Sequence, residues 1–247
     1  MDAVVTFFNQ ISAVIQLRFG GPAWQFHYDR ADLCAADRVR AGERRAPRAE
    51  RDWQVSRAVA AALRRAAGVA PETTLSLSHK QGHALAGLAP AGWTLAVDLE
   101  RCQPRDTAAL AAWVCTDAEQ AALAGIAGVE ARLEAFYMVW TLKEALLKAA
   151  GLPFPAGMRQ VGLGLFGGAG IDTAELRAPG PDWEARAWRL PDGWIAAAAW
   201  RAPAAAAEAA AVAVQWQSGD EAGEGPLPAG GPALLGRWRS APAAAGP

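Results

Sequence analysis

The sequence has almost no net charge and very little cysteine. Its 24 lysine and arginine residues nearly balance 25 aspartate and glutamate residues, which leaves a net charge of −1 at neutral pH. General nucleic-acid binders usually carry a strong basic excess, so this function class is disfavoured. The three cysteines are far apart and form no C-x-x-C pair: Cys34, Cys102 and Cys115. Such a set favours reduced thiols in a cytosol over a disulfide framework or a zinc ribbon.

Two kinds of apolar segment are also missing. The N-terminal stretch MDAVVTFFNQISAVIQLRFG lacks a basic region and carries polar residues inside its apolar run, which argues against a secretory signal. No window holds the roughly 20 strongly apolar residues that a membrane span requires. With 52% apolar and 20% charged residues among 247, the composition fits one large globular domain or two small lobes. We therefore expect a cytoplasmic protein without membrane association.

Residues 1–91 are predicted to form an N-terminal lobe of helices and strands. The segment RDWQVSRAVAAALRRAAG predicts a helix that ends at Gly68, because arginines in its last turn favour the negative end of the helix dipole. TTLSLSH alternates leucine with polar residues and predicts a strand, with ALAGLA as its hairpin partner across a turn at Gln81 and Gly82. The turn PAGW, residues 90–93, marks the predicted lobe boundary.

Residues 92–203 are predicted to form a second lobe, and residues 204–247 a flexible tail. WTLAVDLE alternates as a strand does, Thr116 and Glu119 predict a capped helix start, and a long helix ends at Gly151. WEARAWRL and GWIAAAAW predict a closing meander. The remainder is dominated by Ala, Gly and Pro, which predicts too little apolar burial to order the backbone, although VAVQW has the pattern of an edge strand. The tail is accordingly expected to be dispensable for folding.

Ionisable residues stand in apolar surroundings at two places. Asp98 and Glu100 lie two apart on the predicted strand, so both carboxylates project from one face and repel each other unless a cation bridges them. This spacing fits two solvated acids, and it also fits two oxygen ligands for Mg²⁺. Glu144 and Lys148 lie one turn apart on a helix that is apolar nearly all round. They fit either an internal ion pair or a metal ligand beside a cation.

The segment HKQGH places His79 and His83 four residues apart, a zinc-ligand spacing if the segment were helical. Gly82 and the strand-like lead-in disfavour a helix here, and with it a zinc site. A structural role is the commoner interpretation of a lone histidine. Ser78 next to His79 also raises the hypothesis of a serine hydrolase, but the sequence lacks the G-x-S-x-G elbow that exposes such a serine.

Taken in order, these motifs resemble those of the 4′-phosphopantetheinyl transferase superfamily. AVDLE is similar to the family's G-[IV]-D-x-E strand, and WTLKEALLK to its W-[ST]-x-K-E-[AS]-x-x-K helix. LSLSHK resembles the S-H-S strand and DWQVSRAVAAAL the S-R helix, while CTDAE is similar to the F-[ST]-x-x-E helix and PDGWIAAAAW to the closing strand. The resemblance runs in the family's order from about Trp24 to Ala202.

The resemblance implies an α+β fold of two similar α/β lobes, a pseudo-dimer of the surfactin-synthetase-activating type, with coenzyme A in the cleft between them. It implies Mg²⁺-dependent transfer of 4′-phosphopantetheine from coenzyme A to a serine of an apo acyl or peptidyl carrier protein, with release of 3′,5′-ADP. The pathway would be secondary-metabolite or fatty-acid biosynthesis, and the protein a monomer. The alternative is a catalytically impaired coenzyme A or carrier-protein binding module of the same fold.

The same resemblance implies roles for individual residues. Asp98, Glu100 and Glu144 match the family's magnesium ligands. Glu144 also matches its catalytic base, and Lys148 the lysine that meets the phosphate. The implied coenzyme A contacts come from six residues, with the histidine on the 3′-phosphate: Ser78, His79, Lys80, Arg51, Arg57 and Lys143. Trp140, at the family's tryptophan position, is expected to pack the helix.

Three departures from the family pattern bear on these roles. Ala96 replaces the glycine before the aspartate, which adds a methyl group to the face that carries Asp98. Lys80 replaces the second serine of S-H-S and is itself a candidate for a phosphate contact. The G-K-P loop before the S-H-S strand is absent, since only GVAPETT joins helix and strand. A coenzyme A contact made there would have to come from Lys80 or an arginine.

Overall fold

A computed structural model describes residues 13–165, 170–204, 212–218 and 231–242. They form two lobes, each a mainly antiparallel sheet with one long helix packed against it. The predicted α+β fold is confirmed. Within these ranges, no helix is both long and apolar enough to cross a bilayer. Residues 1–12, whose composition argues against a secretory signal, lie outside the description.

The first lobe contains three strands and two α-helices: β1 (Val14–Gly20), α1 (Ala35–Arg40), α2 (Pro47–Ala67), β2 (Ser76–Lys80) and β3 (His83–Leu88). Short 3₁₀ turns follow β1, at Pro22–His27 and Arg30–Asp32. As predicted, α2 ends at Gly68, whose φ of 66° is left-handed and suits glycine. The hairpin turn at Gln81 and Gly82 has φ values of 52° and 76°, the positive pair that a type I′ turn requires.

The second lobe repeats this plan with additional helices and a small sheet: β4 (Thr94–Arg101), α3 (Thr107–Val114), α4 (Asp117–Ala124), α5 (Val129–Ala150), β5 (Gly162–Gly164), β6 (Glu175–Arg177), β7 (Trp183–Arg189) and β8 (Trp194–Arg201). Thr116 and Glu119 form the predicted capping box at the start of α4. The long helix α5 ends at Gly151, in the left-handed conformation, as its sequence predicts.

The two lobes share one topology. In each, the first strand leads through a long helix to a hairpin, whose second strand pairs antiparallel with the first strand. The strand order β2-β3-β1 in the first sheet therefore recurs as β7-β8-β4 in the second. The two lobes are similar, as predicted, and the turn between β3 and β4 spans the predicted boundary at residues 91 and 92.

The prediction of a flexible tail from residue 204 is wrong for two segments. Strand β9 (Ala213–Trp216), within VAVQW, pairs parallel with β1, and β10 (Ala233–Arg239) pairs antiparallel with β7. Trp238 is only 1% exposed, and its indole Nε1 donates to the Ile171 carbonyl at 2.9 Å. The average composition hides these strands, because a short edge strand needs only a few well-placed apolar residues. The rest of the predicted tail, 205–211, 219–230 and 243–247, lies outside the described residues.

Three apolar layers form the core of the protein, one inside each lobe and one between the lobes. One lies between α2 and the first sheet and includes Val59, Leu63 and Ala86. Another lies between the two sheets and includes Leu17, Leu85, Val97 and Leu99. The last lies between α5 and the second sheet and includes Leu142, Leu146 and Ala197. The alanine-rich strand β8 is thus covered on both faces, and its small side chains let the long helix pack close to the sheet.

The lobes approach each other closely where β3 passes β4. A Cβ at Gly87 would lie 2.6 Å from Val97 Cγ1, so only glycine fits there without a shift. Two hydroxyls of β2 complete the contact, because Ser76 Oγ accepts from Val97 N at 3.0 Å and Ser78 Oγ accepts from Leu99 N at 3.2 Å. Since β4 is an edge strand, these hydroxyls satisfy amides that no neighbouring strand pairs with. The first lobe therefore fixes the strand that carries Asp98 and Glu100.

Candidate active site

Strand β4 and helix α5 bring the three predicted carboxylates into one electrostatic environment. Asp98 and Glu100 stand on the face of β4 toward α5, where Lys148 Nζ lies 2.5 Å from Asp98 Oδ1. Glu144, one turn before Lys148, is half-buried, and the charges of Asp98 and Glu100 both act on it. The internal Glu144–Lys148 pair is thus not the contact that forms, since the lysine reaches across to the strand.

A second lysine binds the same acidic group from the other lobe. Lys80, at the end of β2, forms a short hydrogen bond through Nζ to Glu100 Oε2. The Lys80 side chain is 30% exposed and that of Glu100 is 14% exposed. Each carboxylate of β4 therefore faces an ammonium group, one from the first lobe and one from α5.

Burial and crowding raise the pKa of two of the acids. Desolvation raises the pKa of Glu144, the nearby Asp98 charge raises it further, and Lys148 partly opposes both. Desolvation likewise raises the pKa of Glu100, against the lowering effect of its bond to Lys80. Partly buried carboxylates that repel each other are stabilised by added positive charge, and pKa values perturbed in this way are typical of functional sites.

The chemistry of this cluster suits a divalent cation. Asp98 Oδ2 is buried and has no hydrogen-bond partner among the described residues, whereas Oδ1 accepts from Ser78 and Lys148. A buried oxygen without a donor is unfavourable, and carboxylate oxygens are the ligands that Mg²⁺ prefers. As the described side chains are placed, no three acidic, histidine or cysteine residues converge closely enough to hold a metal ion. Lys80 and Lys148 each occupy one carboxylate oxygen in that arrangement.

Ser78 positions Asp98. The residue is 8% exposed, and its hydroxyl donates to Asp98 Oδ1 at 3.0 Å while accepting from Leu99 N at 3.2 Å. Both hydrogen-bonding functions of the hydroxyl are therefore used inside the protein. The structure thus gives Ser78 a positioning role that the sequence did not indicate, and its coenzyme A contact stays a prediction.

The structure does not support the predicted coenzyme A contact of Lys143. Its side chain is fully buried, with Nζ 2.7 Å from Glu119 Oε2, and it donates to the carbonyls of Val114 and Met158 at 2.9 and 2.8 Å. On α5 it points about 100° away from Glu144, into the core. Glu119, which the sequence indicates only as a capping residue, is thus also a buried counter-charge. A lysine on an apolar helix face was the signal for such a partner.

His79 lies on the exposed part of β2, beside several cations. Partial burial lowers the pKa of His79, with the Asp52 charge opposing this and the Arg57 and Lys148 charges adding to it. Positive groups gathered around an exposed histidine suit an anion. The Arg57 guanidinium is itself held in an ion pair, with its Nε 2.9 Å from Asp37 Oδ2.

A stack of arginines on Trp53 is a feature that sequence reasoning missed. The guanidinium groups of Arg45 and Arg57 each lie 4.0 Å from the Trp53 ring centroid, and that of Arg40 lies 5.1 Å away. Arg51, predicted to bind phosphate, is exposed on α2, the helix that carries Trp53. The aromatic ring thus holds several positive charges near one surface, an arrangement for which only the density of arginine around Trp53 was a signal.

His83 and Trp140 each pack against other aromatic rings. The His83 ring lies 4.4 Å from that of Trp194 and 5.7 Å from that of Phe19, so it packs in an aromatic cluster across the hairpin from His79. Trp140 packs on Phe136 and Phe154, with ring centroids 6.0 and 6.2 Å apart, as expected for a residue that packs the helix.

The strand with the D-x-E pattern faces the helix with the K-E-x-x-x-K pattern, where two lobes of equal topology meet. A model of the family described as "ACPS: 4′-phosphopantetheinyl transferase superfamily" matches residues 94–199, from β4 to β8. Residues 94–199 belong to this superfamily. The domain is therefore a transferase of the phosphopantetheinyl transferase kind, and it contains Asp98, Glu100, Glu144 and Lys148. No curated protein matches the chain.

Proposed function

We propose that this protein transfers 4′-phosphopantetheine from coenzyme A to a serine of an apo acyl or peptidyl carrier protein, releasing 3′,5′-ADP, with Mg²⁺ as cofactor. The observation that carries the proposal is the group of three interacting carboxylates on β4 and α5, with one buried carboxylate oxygen left without a described donor. It lies inside the transferase domain and at the junction of the two lobes.

In this reaction the serine oxygen forms a bond to phosphorus while the pyrophosphate P–O bond breaks, and 3′,5′-ADP leaves. Asp98, Glu100 and Glu144 would hold Mg²⁺, which when bound supplies positive charge to the pyrophosphate. Glu144 would take the proton of the serine hydroxyl, a role favoured by a raised pKa, because a general base works best near the operating pH. Lys148, whose side chain is 40% exposed, can place its ammonium on the phosphoryl oxygens.

The first lobe would bind the nucleotide end of coenzyme A. His79 is near the charges of Arg57 and Arg40, which both stack on Trp53, and this basic surface suits the 3′-phosphate. The exposed Arg51, on the same helix as Arg57, would add to it. Lys80 lies on the same strand, next to the carboxylates, and can replace the contact of the missing G-K-P loop. Coenzyme A would then lie across the junction between the lobes, with its pyrophosphate at the carboxylates.

The alternative of an impaired binding module gains no support from Ala96. Its side chain is buried, and it pairs in register with Ala199 of the neighbouring strand β8. Two small side chains face each other there, so the extra methyl group is accommodated beside Asp98 without displacing the strand. The presence of all three acids and Lys148 supports turnover over binding alone.

The proposed transfer is tested with a panel of purified apo carrier proteins, coenzyme A and Mg²⁺. Intact-mass spectrometry should show one added phosphopantetheine per carrier, together with an equal amount of 3′,5′-ADP, for at least one member of the panel. A carrier whose acceptor serine is replaced by alanine is the control and should gain no mass. Binding of coenzyme A without any mass gain across the panel would favour the impaired module.

Replacing His79 by alanine should raise the KM for coenzyme A by roughly tenfold, the value expected from losing a charge-assisted hydrogen bond. The KM for 3′-dephospho-coenzyme A should hardly change, because His79 is proposed to contact only the 3′-phosphate. His27→Ala is the matched control, since His27 is an exposed histidine on a different segment. An equal loss with both substrates would show that His79 acts through the fold and not on the phosphate.

A further inference from the structure

The few lysines of this chain are placed unusually. The sequence has 21 arginines but only three lysines, and each lysine pairs with a carboxylate. These pairs are Lys80–Glu100, Lys143–Glu119 and Lys148–Asp98. The Lys143 pair is completely buried, whereas the side chains of Lys80 and Lys148 are 30% and 40% exposed. Two lysines therefore neutralise the acids of β4 from positions that solvent can reach.

The Lys80–Glu100 pair joins the two lobes. Lys80 is the last residue of β2 and pairs across the hairpin with His83, while Glu100 stands near the end of β4 in the second lobe. The pair is partly desolvated, since the Glu100 side chain is only 14% exposed. The Lys80 ammonium is thus hydrogen-bonded to a carboxylate oxygen of Glu100, a residue proposed to hold the metal. The S-H-S pattern that this segment resembles has a serine at this position.

Building on the proposed function, we infer that Lys80 is a resident counter-ion that competes with the divalent cation for Glu100. Without metal, the three carboxylates repel one another, and the two lysines compensate that repulsion. A cation that binds Glu100 must displace the Lys80 ammonium. The displaced group then lies at the junction, free to meet an anionic group such as the pyrophosphate of coenzyme A.

The presence of a lysine, and not an arginine, at position 80 supports displacement of its ammonium group by a metal ion. Lysine carries a compact charge on a flexible stem, and its partly exposed ammonium can move into water when Glu100 takes another partner. Arginine would hold the carboxylate with a planar, bidentate fork that is harder to displace. Although the chain is rich in arginine, this contact uses a lysine, whose ammonium group a metal ion can displace from Glu100.

The competition is measured by titrating the full-length protein with Mn²⁺ alone, without coenzyme A, and following free Mn²⁺ by electron paramagnetic resonance. Lys80→Met should bind Mn²⁺ about tenfold more tightly, as expected when a neighbouring unit charge is removed. Lys80→Arg, which keeps the charge, should bind more weakly than the natural protein. Arg105→Met is the control, because the exposed Arg105 acts on Glu100 only as a more distant charge. Its affinity should stay within about twofold.

A double-mutant cycle with Glu100→Gln identifies the contact. If Lys80 acts on Glu100, the difference between lysine and methionine at position 80 should largely vanish in the glutamine background. Lys80→Ser, with the residue of the family pattern, serves as a second variant if the methionine variant folds poorly, and should also bind Mn²⁺ more tightly than the natural protein.

Equal or weaker Mn²⁺ binding by Lys80→Met and Lys80→Ser would overturn the inference, as would equal affinities of the lysine and arginine proteins. If transfer to a carrier protein proceeds while the affinities are unchanged, the competition fails and the proposed function stands. If Mn²⁺ binds none of the proteins, the competition fails together with the metal site. Transfer activity, measured separately by carrier mass, then decides the proposed function.

Discussion

Replacing Glu144 by glutamine should reduce phosphopantetheine transfer by at least about a hundredfold while leaving the fold intact. The substitution keeps the shape of the side chain but removes both the proposed base and one charged ligand, and a positioned general base alone contributes roughly 10²–10⁴-fold. The measurement is the initial rate of mass gain by an apo carrier at saturating coenzyme A and Mg²⁺. Glu130→Gln, in the exposed first turn of the same helix, is the matched control and should keep near-normal activity.

The stability of Glu144→Gln gives an independent check, because the pKa of Glu144 is raised in the folded state. A carboxyl with a raised pKa is destabilising when ionised, and this penalty disappears as the pH falls below its ordinary range. Because glutamine is neutral, the Glu144→Gln protein should have a melting temperature at neutral pH equal to that of the natural protein or higher. Near-normal transfer by this variant at saturating Mg²⁺ would count decisively against the assignment of Glu144.

Ending the chain after Pro203 should strongly destabilise the protein, contrary to what its composition suggests. The cut removes β9 and β10 and leaves the outer edges of β1 and β7 without partners. It also removes Trp238, which is 1% exposed against the second lobe. We expect insoluble protein, or a melting temperature lower by many degrees, measured by circular dichroism. A truncated protein that melts like the full chain would show that both strands are peripheral.

A point substitution isolates the largest part of this effect. Trp238→Ala should lower the free energy of unfolding by about 3–5 kcal/mol, the usual result of emptying a buried tryptophan site. Leu234→Ala on the same strand is the matched control, because Leu234 is 55% exposed and should change the stability by less than about 0.5 kcal/mol. Equal effects of the two substitutions would contradict the placement of Trp238 in the core.

The features that sequence predicts best here depend on residues only a few positions apart. The left-handed ends at Gly68 and Gly151, the capping box at Thr116 and the positive-φ turn at Gln81 all follow from local backbone chemistry. The carboxylates belong to short motifs as well, so their positions on a strand and a helix could be predicted.

The partners of those residues could not be predicted, because they come from distant parts of the chain. Nothing near Lys143 in the sequence identifies Glu119 as its buried partner, and nothing near Glu100 identifies Lys80. That β10 is an ordered strand could not be predicted for the same reason, since its pairing with β7 depends on tertiary contact and not on local composition. The sequence therefore predicted where the acids lie in the fold, and the structure supplied the cations that meet them.

The repeated topology of the lobes has a consequence for symmetry. Strand β1 holds the place in the first sheet that β4 holds in the second, yet β1 contains no acidic residue. Where β4 turns Asp98 and Glu100 toward its helix, the alternate positions of β1 carry Arg18 and Gly20, and a Cβ at Gly20 would clash with Val59 of α2. The backbone is thus duplicated but the charge is not. The coenzyme A of the proposed function, laid across the junction, would meet an arginine-rich end and a carboxylate end, and so would have a single direction in which to lie.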